Sequence, residues 1–530
     1  MKKNIILTSM FLAGATTVFA QGEADAIRMS QREITGSARS MGMAGAFGAL
    51  GGDISSLSNN PAGIGVFRNS EVAATLDLSF INTNTNWNGT GTSYDRTRFM
   101  FNNIGYVATF RGGSDFGFNV GVAYNRKANF YRTYEANNHN MGSSMTDYMA
   151  DKAFGIPMGA MDDIKGNDPY APSAGLPWLS VLGWNSFLIK PNGMADINGQ
   201  QYQSYTSPFP TVSGSSSRLH VREYGHADEY NFTFGGNYDD MIYFGATLSV
   251  TDFAYNMTVG YSEDHRNDGN FYMENSLRTS GTGFNFAAGM IVRPADFMRL
   301  GVSIKTPTYY SMTDRFGALV DYNNILDEYT DETGKPVSKL ESGTASTPNG
   351  AMDYKMNTPF EFMGSVAFIL GKKAIVSFEY NLQDYSSLKF RDLDGYDFSD
   401  NQYIKEDTRS VNTFKFGAEY RVTPQFSLRA GYAHQSSPVK DYVLDGNQEI
   451  LTAGTMTNYL LPKSTEYITA GFGYRFGRVY ADMAYVYKMH KDVGYAYSPI
   501  FIDGETFVSS DPFSLKTKKS SVLLTLGYKF

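Results

Sequence analysis

The 530-residue chain contains no cysteine, only three tryptophans and only six histidines. The absence of cysteine excludes a disulfide framework. The histidines are scattered without metal-ligand spacing, so we predict neither a metal site nor a cofactor. The formal net charge of −8 argues against a nucleic-acid partner, because such proteins usually carry a basic face. No Ser/His/Asp or paired-carboxylate arrangement is recognisable, and we do not expect an enzyme.

The chain also lacks a long apolar run beyond its first twenty residues. That first segment has Lys2 and Lys3, a short apolar run over residues 5–19 and Ala20 before Gln21, a pattern typical of a signal peptide spanning residues 1–20. The run is shorter than the roughly 20 apolar residues that a membrane helix needs. We therefore expect an exported protein.

Aromatic residues and glycine are abundant instead, with aromatics at 15% and 53 glycines. A chain rich in both but without long apolar runs suits a transmembrane β-barrel, in which only alternate residues meet lipid. The C-terminal stretch "SVLLTLGYKF" alternates in this way and ends on an aromatic residue, as bacterial outer-membrane barrels do. Its apolar face consists of Val522, Leu524, Leu526, Tyr528 and Phe530.

The same alternation recurs upstream in "VNTFKFGAEYRV", "QFSLRAGYAH", "EYITAGFGYRF" and "RVYADMAYVYK". A soluble β-sandwich would turn the apolar face of such strands inward, whereas the export signal and the aromatic terminus favour a barrel with its apolar face in lipid. The barrel interior is then polar. The charged residues predicted to face inward are Lys415, Glu419, Arg421, Arg429 and Asp482.

Short and long connections alternate along the predicted strands, as in a barrel with brief periplasmic turns and larger outer loops. We predict an all-β fold, a transmembrane antiparallel β-barrel of about fourteen strands over residues 71–530, with both ends on the periplasmic side. The longest extracellular loop is expected at about 138–226. Other long connections are expected near residues 82–97, 262–270, 317–350, 392–406, 438–463 and 489–517.

About fifty residues precede the first predicted strand and include "MGMAGAFGALGGDISSLSNNPAGIG", residues 41–65. Its apolar side chains need burial, and its small residues let the backbone run close to another surface. We predict that residues 21–70 form a small plug, or hatch, in the barrel lumen, where fourteen strands leave room for a thin segment. The small-residue run of the hatch comprises Gly42, Gly45, Ala46, Gly48, Gly51, Gly52 and Asp53.

The stretch "ARSMGMAGAFGALGGD" and the following motif Asn60, Pro61, Ala62 and Gly63 resemble the hatch of the outer-membrane long-chain fatty-acid transporters of the FadL type. The wider form over about residues 35–71 looks like a branch sometimes labelled hemin receptors. The resemblance implies a fourteen-stranded barrel that moves hydrophobic molecules passively. Ligand would be captured by outer loops, enter a lumenal pocket and leave through the barrel wall beside an inward kink in the third strand, with hatch movement coupling binding to release.

A candidate for ligand capture lies in the longest loop, in "GLPWLSVLGWNSFLI". An apolar segment in an outer loop could serve as a landing surface for lipid, or it could pack over the barrel mouth, because large exposed apolar patches are rare unless they are used. Sequence alone leaves both alternatives open. The candidate residues are Trp178, Leu179, Leu182, Trp184 and Phe187.

A candidate for the strand kink lies in "DFGFNVGVAYNRKANFY", the predicted third strand. Continued alternation would place Arg126 on the lipid face. A bulge or kink would avoid this, but Arg126 could equally stand above the hydrocarbon, since a membrane strand needs only about 9–11 residues. The candidate kink residues are Asn125, Arg126, Lys127, Ala128 and Asn129.

We therefore predict a monomeric outer-membrane transporter for hydrophobic small molecules such as long-chain fatty acids, with membrane lipid around it. A haem receptor is one alternative, although haem needs an axial ligand and the nearest pair, His220 and His226, falls in a predicted loop. A polar porin is another, favoured by the inward charges and opposed by the plug. A barrel that serves in a surface or secretion assembly without transport is a third.

Overall fold

The computed structural model describes residues 22–111, 116–162, 164, 166–197, 199–209, 212–330, 334–371, 373–502 and 505–530. The predicted signal peptide over residues 1–20 lies outside the described residues. Within the described ranges, no helix is both long enough and apolar enough to cross a membrane.

Strands dominate the structure and are joined into one large antiparallel sheet, with two small hairpins in the loops. The small hairpins are β5–β6 and β21–β22. The strands are β1 (Glu71–Trp87), β2 (Thr90–Arg111), β3 (Phe116–Asn129), β4 (Arg132–Asn138), β5 (Lys190–Ile197), β6 (Gln200–Thr206), β7 (Ser216–Tyr238), β8 (Ile242–Asp264), β9 (Asn270–Ala295), β10 (Met298–Lys305), β11 (Tyr309–Thr330), β12 (Pro336–Ser346), β13 (Gly350–Asn357), β14 (Glu361–Leu370), β15 (Ala374–Asp384), β16 (Lys389–Arg391), β17 (Ser410–Arg421), β18 (Phe426–Gln435), β19 (Tyr459–Phe476), β20 (Val479–Tyr495), β21 (Ile500–Ile502), β22 (Glu505–Val508) and β23 (Phe513–Lys529).

Short helices occupy the N-terminal region and the loops. The α-helices are α1 (Glu23–Ser30), α2 (Ala38–Met41), α3 (Ser56–Asn59), α4 (Met145–Lys152), α5 (Met158–Met161), α6 (Trp178–Asn185), α7 (Asn401–Asp407) and α8 (Asp441–Leu444), and the 3₁₀ helices are Pro61–Val66, Pro172–Ala174, Arg266–Asp268 and Tyr385–Ser387.

The large sheet closes on itself because β1 pairs with β2 on one side and with the last strand, β23, on the other. Several passes across the wall are built from successive segments that pair with the same neighbours. These passes are β3 with β4, β10 with β11, β12 with β13 and β14, and β15 with β16. Counted in this way, the barrel has fourteen antiparallel strands, which confirms the predicted fold class.

The predicted alternation is also confirmed. Apolar residues such as Phe416, Leu428 and Phe472 are exposed on the outer face, where lipid would lie. The charged residues Lys415, Glu419, Arg429 and Asp482 are buried on the inner face. Arg421 follows the same inward register, but it ends β17 and is exposed.

Some predicted long connections are continuous strands instead. The stretch 82–97 belongs to β1 and β2, which meet in a two-residue turn, Asn88-Gly89, with both residues at positive φ. Asn-Gly is the preferred sequence for this tight hairpin turn, so its polar flanks extend the strands beyond the apolar band. The longest loop is also shorter than predicted, because it begins after Asn138 and ends before Ser216, where β7 starts.

Residues 22–70 lie against the inner face of the barrel and form the hatch. Glycines of the barrel wall face it, and a Cβ on these glycines would collide with the hatch backbone. At Gly245 a Cβ would lie 2.2 Å from the carbonyl oxygen of Pro61, and at Gly301 it would lie 2.7 Å from that of Gly48. Equivalent contacts occur at Gly105, Gly121, Gly235, Gly289, Gly417 and Gly431. Small residues on both sides therefore let the hatch approach the wall backbone to backbone.

Replacing one wall glycine should expel part of the hatch. In Gly431→Val the new Cβ would lie 2.4 Å from the carbonyl carbon of Met43. We expect a loss of about 1–3 kcal/mol, typical of overpacking, and faster proteolysis of the hatch in the purified, detergent-solubilised protein. Gly364→Val is the matched control, because a Cβ there would meet only Phe362, at 3.8 Å. Equal proteolysis of both variants would contradict the close fit.

Candidate functional site

The motif Asn60–Gly63 joins the two halves of the hatch. Asn60 Nδ2 donates to the carbonyl of Gly48 at 2.6 Å, and Asn60 Oδ1 accepts from the amide of Ala62 at 3.1 Å. Pro61 begins the 3₁₀ helix, where its missing N–H removes no needed hydrogen bond. The motif thus caps this helix and fastens it to the glycine run that precedes it.

The small-residue run is folded onto the same helix. Gly52 N donates to Gly63 O at 3.0 Å, and a Cβ on Gly51, whose φ is +61°, would lie 2.7 Å from the Cα of Gly63. Asp53 accepts from the hydroxyls of Ser37 and Ser55 and so holds the two ends of the run together. Gly42, Gly45, Ala46, Gly48, Gly51 and Asp53 are buried, and Gly52 is half-buried.

Polar side chains of the barrel satisfy the hatch backbone. Glu379 Oε2 accepts from the amides of Phe47 and Gly48 at 3.1 and 2.7 Å. Arg299 donates to the carbonyl of Leu50 at 2.7 Å. Buried backbone groups need such partners because water does not reach them. Six more barrel residues bond the hatch backbone in the same way: Asn119, Asn237, Thr247, Ser303, Ser365 and Thr525.

The inward charges that would favour a polar porin bind one another and the hatch. Glu419 accepts from Arg429 at 2.6 Å and from Arg39 of the hatch at 3.1 Å, while Arg429 also donates to Asp482 at 2.6 Å. Lys415 pairs with Glu379, the carboxylate that holds the hatch amides. These charges therefore anchor the hatch and do not line a wide aqueous channel.

A second part of the hatch, helix α1, was missed by sequence reasoning. It is almost wholly buried among loop and wall residues, and its Asp25 accepts from the amide of Ala453 at 2.8 Å. At its other end the carbonyl of Ser30 accepts from the Tyr385 hydroxyl at 3.1 Å. Acidic residues in its first turn and Arg28 in its last turn are an ordinary helix signal, and could have revealed it.

The third pass across the wall has a bulge at Lys127, where the ladder with β7 shifts register between Arg126 and Ala128. Arg126 stays on the outer face and pairs with Asp228 at 2.9 Å, so the bulge does not remove it from that face as the sequence argument supposed. Lys127 turns inward instead, and its ammonium group donates to the hydroxyl of Ser58 in the hatch at 3.0 Å. The candidate kink residues Asn125 and Asn129 flank this bulge.

Beyond the bulge, β4 lies inside the barrel. The inward hydroxyls of Thr83 and Thr85 on β1 donate to backbone carbonyls of β4 at 2.7 and 2.5 Å, which is possible only if β4 passes on the inner side of β1. The ladder between β2 and β3 ends at the pair Asn103 and Asn125. In the described part of the chain, no ladder joins β2 to β4. The wall therefore has a gap in its hydrogen bonding beside residues 90–102.

Two side-chain contacts bridge this wall gap. The amide of Asn129 contacts the sulfur of Met100, and the guanidinium carbon of Arg98 lies 4.1 Å from the ring centroid of Tyr131. Phe99, between the two β2 residues, is 68% exposed on the outer face. The gap thus stands next to the apolar surface that faces lipid.

A cavity of about 120 Å³ lies between the hatch, β4 and the last two barrel strands. A smaller cavity of about 40 Å³ shares Glu33, Asn129, Lys488 and Lys519 with it and reaches Met100 at the wall gap. The two cavities therefore lead from the centre of the lumen toward the opening in the wall. The larger one is also lined by Arg28, Arg32, Phe130, Tyr131, Tyr385 and Tyr467.

Between these cavities, the hatch carboxylate of Glu33 is held by two lysines of the wall. Its oxygens lie 2.7 Å from Lys488 Nζ and 3.4 Å from Lys519 Nζ. Burial alone would raise the pKa of Glu33, but the two ammonium groups outweigh burial and lower this pKa to about 2. The stabilisation from this clamp is therefore fully present above the pKa of an unfolded glutamate, about 4.3, and disappears only at strongly acidic pH.

The candidate capture residues are packed over the barrel mouth. Trp178, Leu179 and Leu182 of α6 are buried, and Trp184 and Phe187 are half-buried. Trp178 lies edge-on to Tyr170 and against Phe316. The apolar face of α6 is consequently part of the core under the loops and offers little surface to a ligand in this state.

The histidines are not brought together. His490 alone lines the larger cavity, and its two ring nitrogens lie 2.6 Å from the hydroxyl of Thr465 and 2.8 Å from the carboxylate of Asp492. His220 and His226 lie on β7 beside Glu135 and Asp228, respectively. No group of three or more His, Asp or Glu side chains within the described ranges is placed to hold a metal ion. Nothing at the cavity supports the haem alternative.

Comparison with known proteins agrees with the resemblance drawn from the hatch motif. The family described as outer membrane protein transport protein (OMPP1/FadL/TodX) matches residues 272–530. This match lies outside the hatch, so a second part of the chain confirms the resemblance to the FadL-type family. No curated protein matches the chain.

Solved structures share the fold at low sequence identity. A Pseudomonas aeruginosa FadL homologue is 11% identical, with a TM-score of 0.52 over 94% of this chain and 99% of that chain. The P. putida toluene transporter TodX is 11% identical, with a TM-score of 0.48 over the same shares of both chains. The Ralstonia pickettii toluene transporter TbuX is 12% identical, with a TM-score of 0.44 over 94% and 99%.

Proposed function

We propose that this chain, which resembles the OMPP1/FadL/TodX family, is an outer-membrane channel for hydrophobic compounds and takes anionic amphiphiles such as long-chain fatty acids. The family match and the closed barrel support the general part of this proposal. The choice of an anionic amphiphile rests on one observation, the carboxylate of Glu33 clamped by Lys488 and Lys519 inside the cavity.

The Glu33 side chain occupies a site suited to a fatty-acid head group. Two ammonium groups converge on one carboxylate there, and charge-assisted hydrogen bonds of this kind are about twice as strong as neutral ones. A ligand carboxylate that enters from above could replace Glu33 on the same two lysines. An aromatic hydrocarbon has no group that makes this exchange, so toluene gains nothing from the lysines.

Exchange at the lysines would loosen the hatch. Glu33 follows α1 closely, and its clamp is one of the ties between this part of the hatch and the last two wall strands. The cavity of about 120 Å³ is small compared with the roughly 300–1,000 Å³ of typical ligand sites. An acyl chain therefore needs the hatch to move, and loss of the Glu33 clamp is a physical reason for it to do so.

The acyl chain then has a route to the membrane. The smaller cavity connects the lysines with Met100 and Asn129 at the wall gap, and the exposed ring of Phe99 marks the adjacent lipid-facing surface. Release sideways keeps the apolar chain out of the polar remainder of the lumen. No catalytic step is needed for this passage.

Removing the lysine pair should weaken fatty-acid transport selectively. We expect Lys488→Met with Lys519→Met to lower oleate uptake at least about tenfold, the effect of losing a charge-assisted contact, and to leave toluene uptake unchanged. Uptake is measured in cells that lack their own fatty-acid channel. Lys491→Met with Lys518→Met is the control, because these neighbouring lysines take the opposite register on the same two strands.

The outcomes of this comparison separate the alternatives. Unchanged oleate uptake in the lysine variant would refute the head-group site, and toluene uptake alone in the unmodified protein would make this an aromatic-hydrocarbon channel. Uptake of neither compound would refute a channel function and favour a barrel that serves in a surface or secretion assembly.

Removing the internal carboxylate should have the opposite effect on binding. In Glu33→Gln the lysines lose their partner, so a ligand carboxylate no longer has to displace one. We expect the apparent Kd of the purified protein for oleate to fall about tenfold, since breaking one charge-assisted hydrogen bond costs roughly 1.5 kcal/mol. Fluorescence titration measures this Kd. A Kd that rises in Glu33→Gln would show that Glu33 supports binding rather than competing with the ligand.

Cross-linking the wall gap should block exit. The chain has no native cysteine, so Met100→Cys with Asn129→Cys introduces a single pair at the contact that bridges the gap. We expect oxidation to stop oleate uptake and reduction to restore it. Met483→Cys with Leu524→Cys, a pair on the outer face of a continuous ladder, is the control and should leave uptake unchanged. Full uptake through the oxidised gap pair would exclude this exit.

A further inference from the structure

The outer face of the barrel carries three exposed arginines on one side: Arg222 on β7, Arg278 on β9 and Arg315 on β11. Within the described ranges none of them has an ion-pair or hydrogen-bond partner through its side chain. Other outward basic residues nearby are paired, because Arg218 and His220 lie beside the carboxylate of Glu135. We call these three residues the outer arginine surface.

The ladder brings two of these arginines directly together. Arg278 and Arg315 are opposite residues in the antiparallel pairing of β9 and β11. Opposite residues on one face have Cβ atoms about 4.5–5.5 Å apart, and like charges in this position destabilise the sheet. Arg222 lies one strand further on, across Thr258 of β8. A bound anion would remove the repulsion that this arrangement creates.

The nearest carboxylates on this face already have partners. Glu274 accepts from the hydroxyl of Tyr272 at 3.2 Å. Asp353 accepts from the hydroxyl of Thr313 at 2.5 Å. Neither lies within ion-pair distance of Arg278 or Arg315 among the described residues, so the arginine charge remains uncompensated by the protein.

The height of this surface above the membrane is set by an aromatic pair lower on the same two strands. Phe284 and Tyr309, both exposed, pack with ring centroids 5.6 Å apart and mark the upper edge of the apolar band. The arginine pair lies six residues further up each strand. Strands rise about 3.3 Å per residue and tilt about 35–45°, so the arginines stand roughly 15 Å above this edge.

We propose that the outer arginine surface binds a phosphate group of the glycolipid that forms the outer leaflet, in the sugar region just above the acyl chains. Guanidinium groups bind phosphate in a bidentate fashion, and an adjacent pair presents two such forks to one group. The surface is on the outside of the wall, away from the lumenal cavity, and this interaction is independent of what the channel transports.

The test measures binding of rough lipopolysaccharide with phosphorylated inner-core sugars to the full-length protein in detergent. We expect Arg278→Gln with Arg315→Gln, or dephosphorylation of the core, to weaken binding at least about tenfold. Arg421→Gln with Arg478→Gln removes the same charge at the periplasmic rim and should leave binding within about twofold. Thermal unfolding of each variant establishes that it is folded.

Three results would overturn the proposal. Equal binding of phosphorylated and dephosphorylated glycolipid would show that phosphate is not recognised. Equal weakening in the two double variants would show a general charge effect. Undiminished binding in Arg278→Gln with Arg315→Gln, despite a dependence on phosphate, would place the phosphate site elsewhere on the wall.

Discussion

The structure depends on satisfying a backbone that is threaded through the inside of a closed sheet. Closure of the barrel satisfies the strands themselves, but the hatch has little regular structure and must obtain its partners from the wall. Inward side chains such as Glu379, Arg299 and Asn119 provide them. Glycines placed opposite the hatch bring the two backbones close enough for these bonds to form. The polar interior of the barrel is therefore a complement to the hatch.

The same constraint explains where the molecule can open. Most of the hatch is tied to the wall through its backbone, and these ties do not depend on any ligand. The clamp on Glu33 is different, because two side chains hold a third and a free carboxylate can compete for them. It is also located where the cavities meet, beside the one pass of the wall that bends inward. A local exchange of ions is thereby linked to a larger movement of backbone.

Sequence patterns predicted the parts of this molecule that depend on simple periodicity. Alternation identified the outer and inner faces of the strands, as Phe416 and Lys415 illustrate, and their connections indicated fourteen strands. The small residues around Asn60 indicated the hatch and its family. Long-range pairings were beyond the sequence: nothing in it indicates that Glu33 would meet Lys488, or that Gly245 would face Pro61. The bulge at Lys127 could be suspected, but only the ladder shows that Arg126 stays outside with Asp228.

The inward course of β4 leaves one edge of β2 without a neighbouring strand over residues 90–102. Amide and carbonyl groups on that edge cannot remain bare against hydrocarbon, because each would forfeit several kcal/mol of solvation. Water must therefore occupy the notch beside Met100 even when no substrate is passing. An amphiphile that leaves by this notch slides past a hydrated seam, with its tail already turned toward the bilayer and its head the last part to lose water.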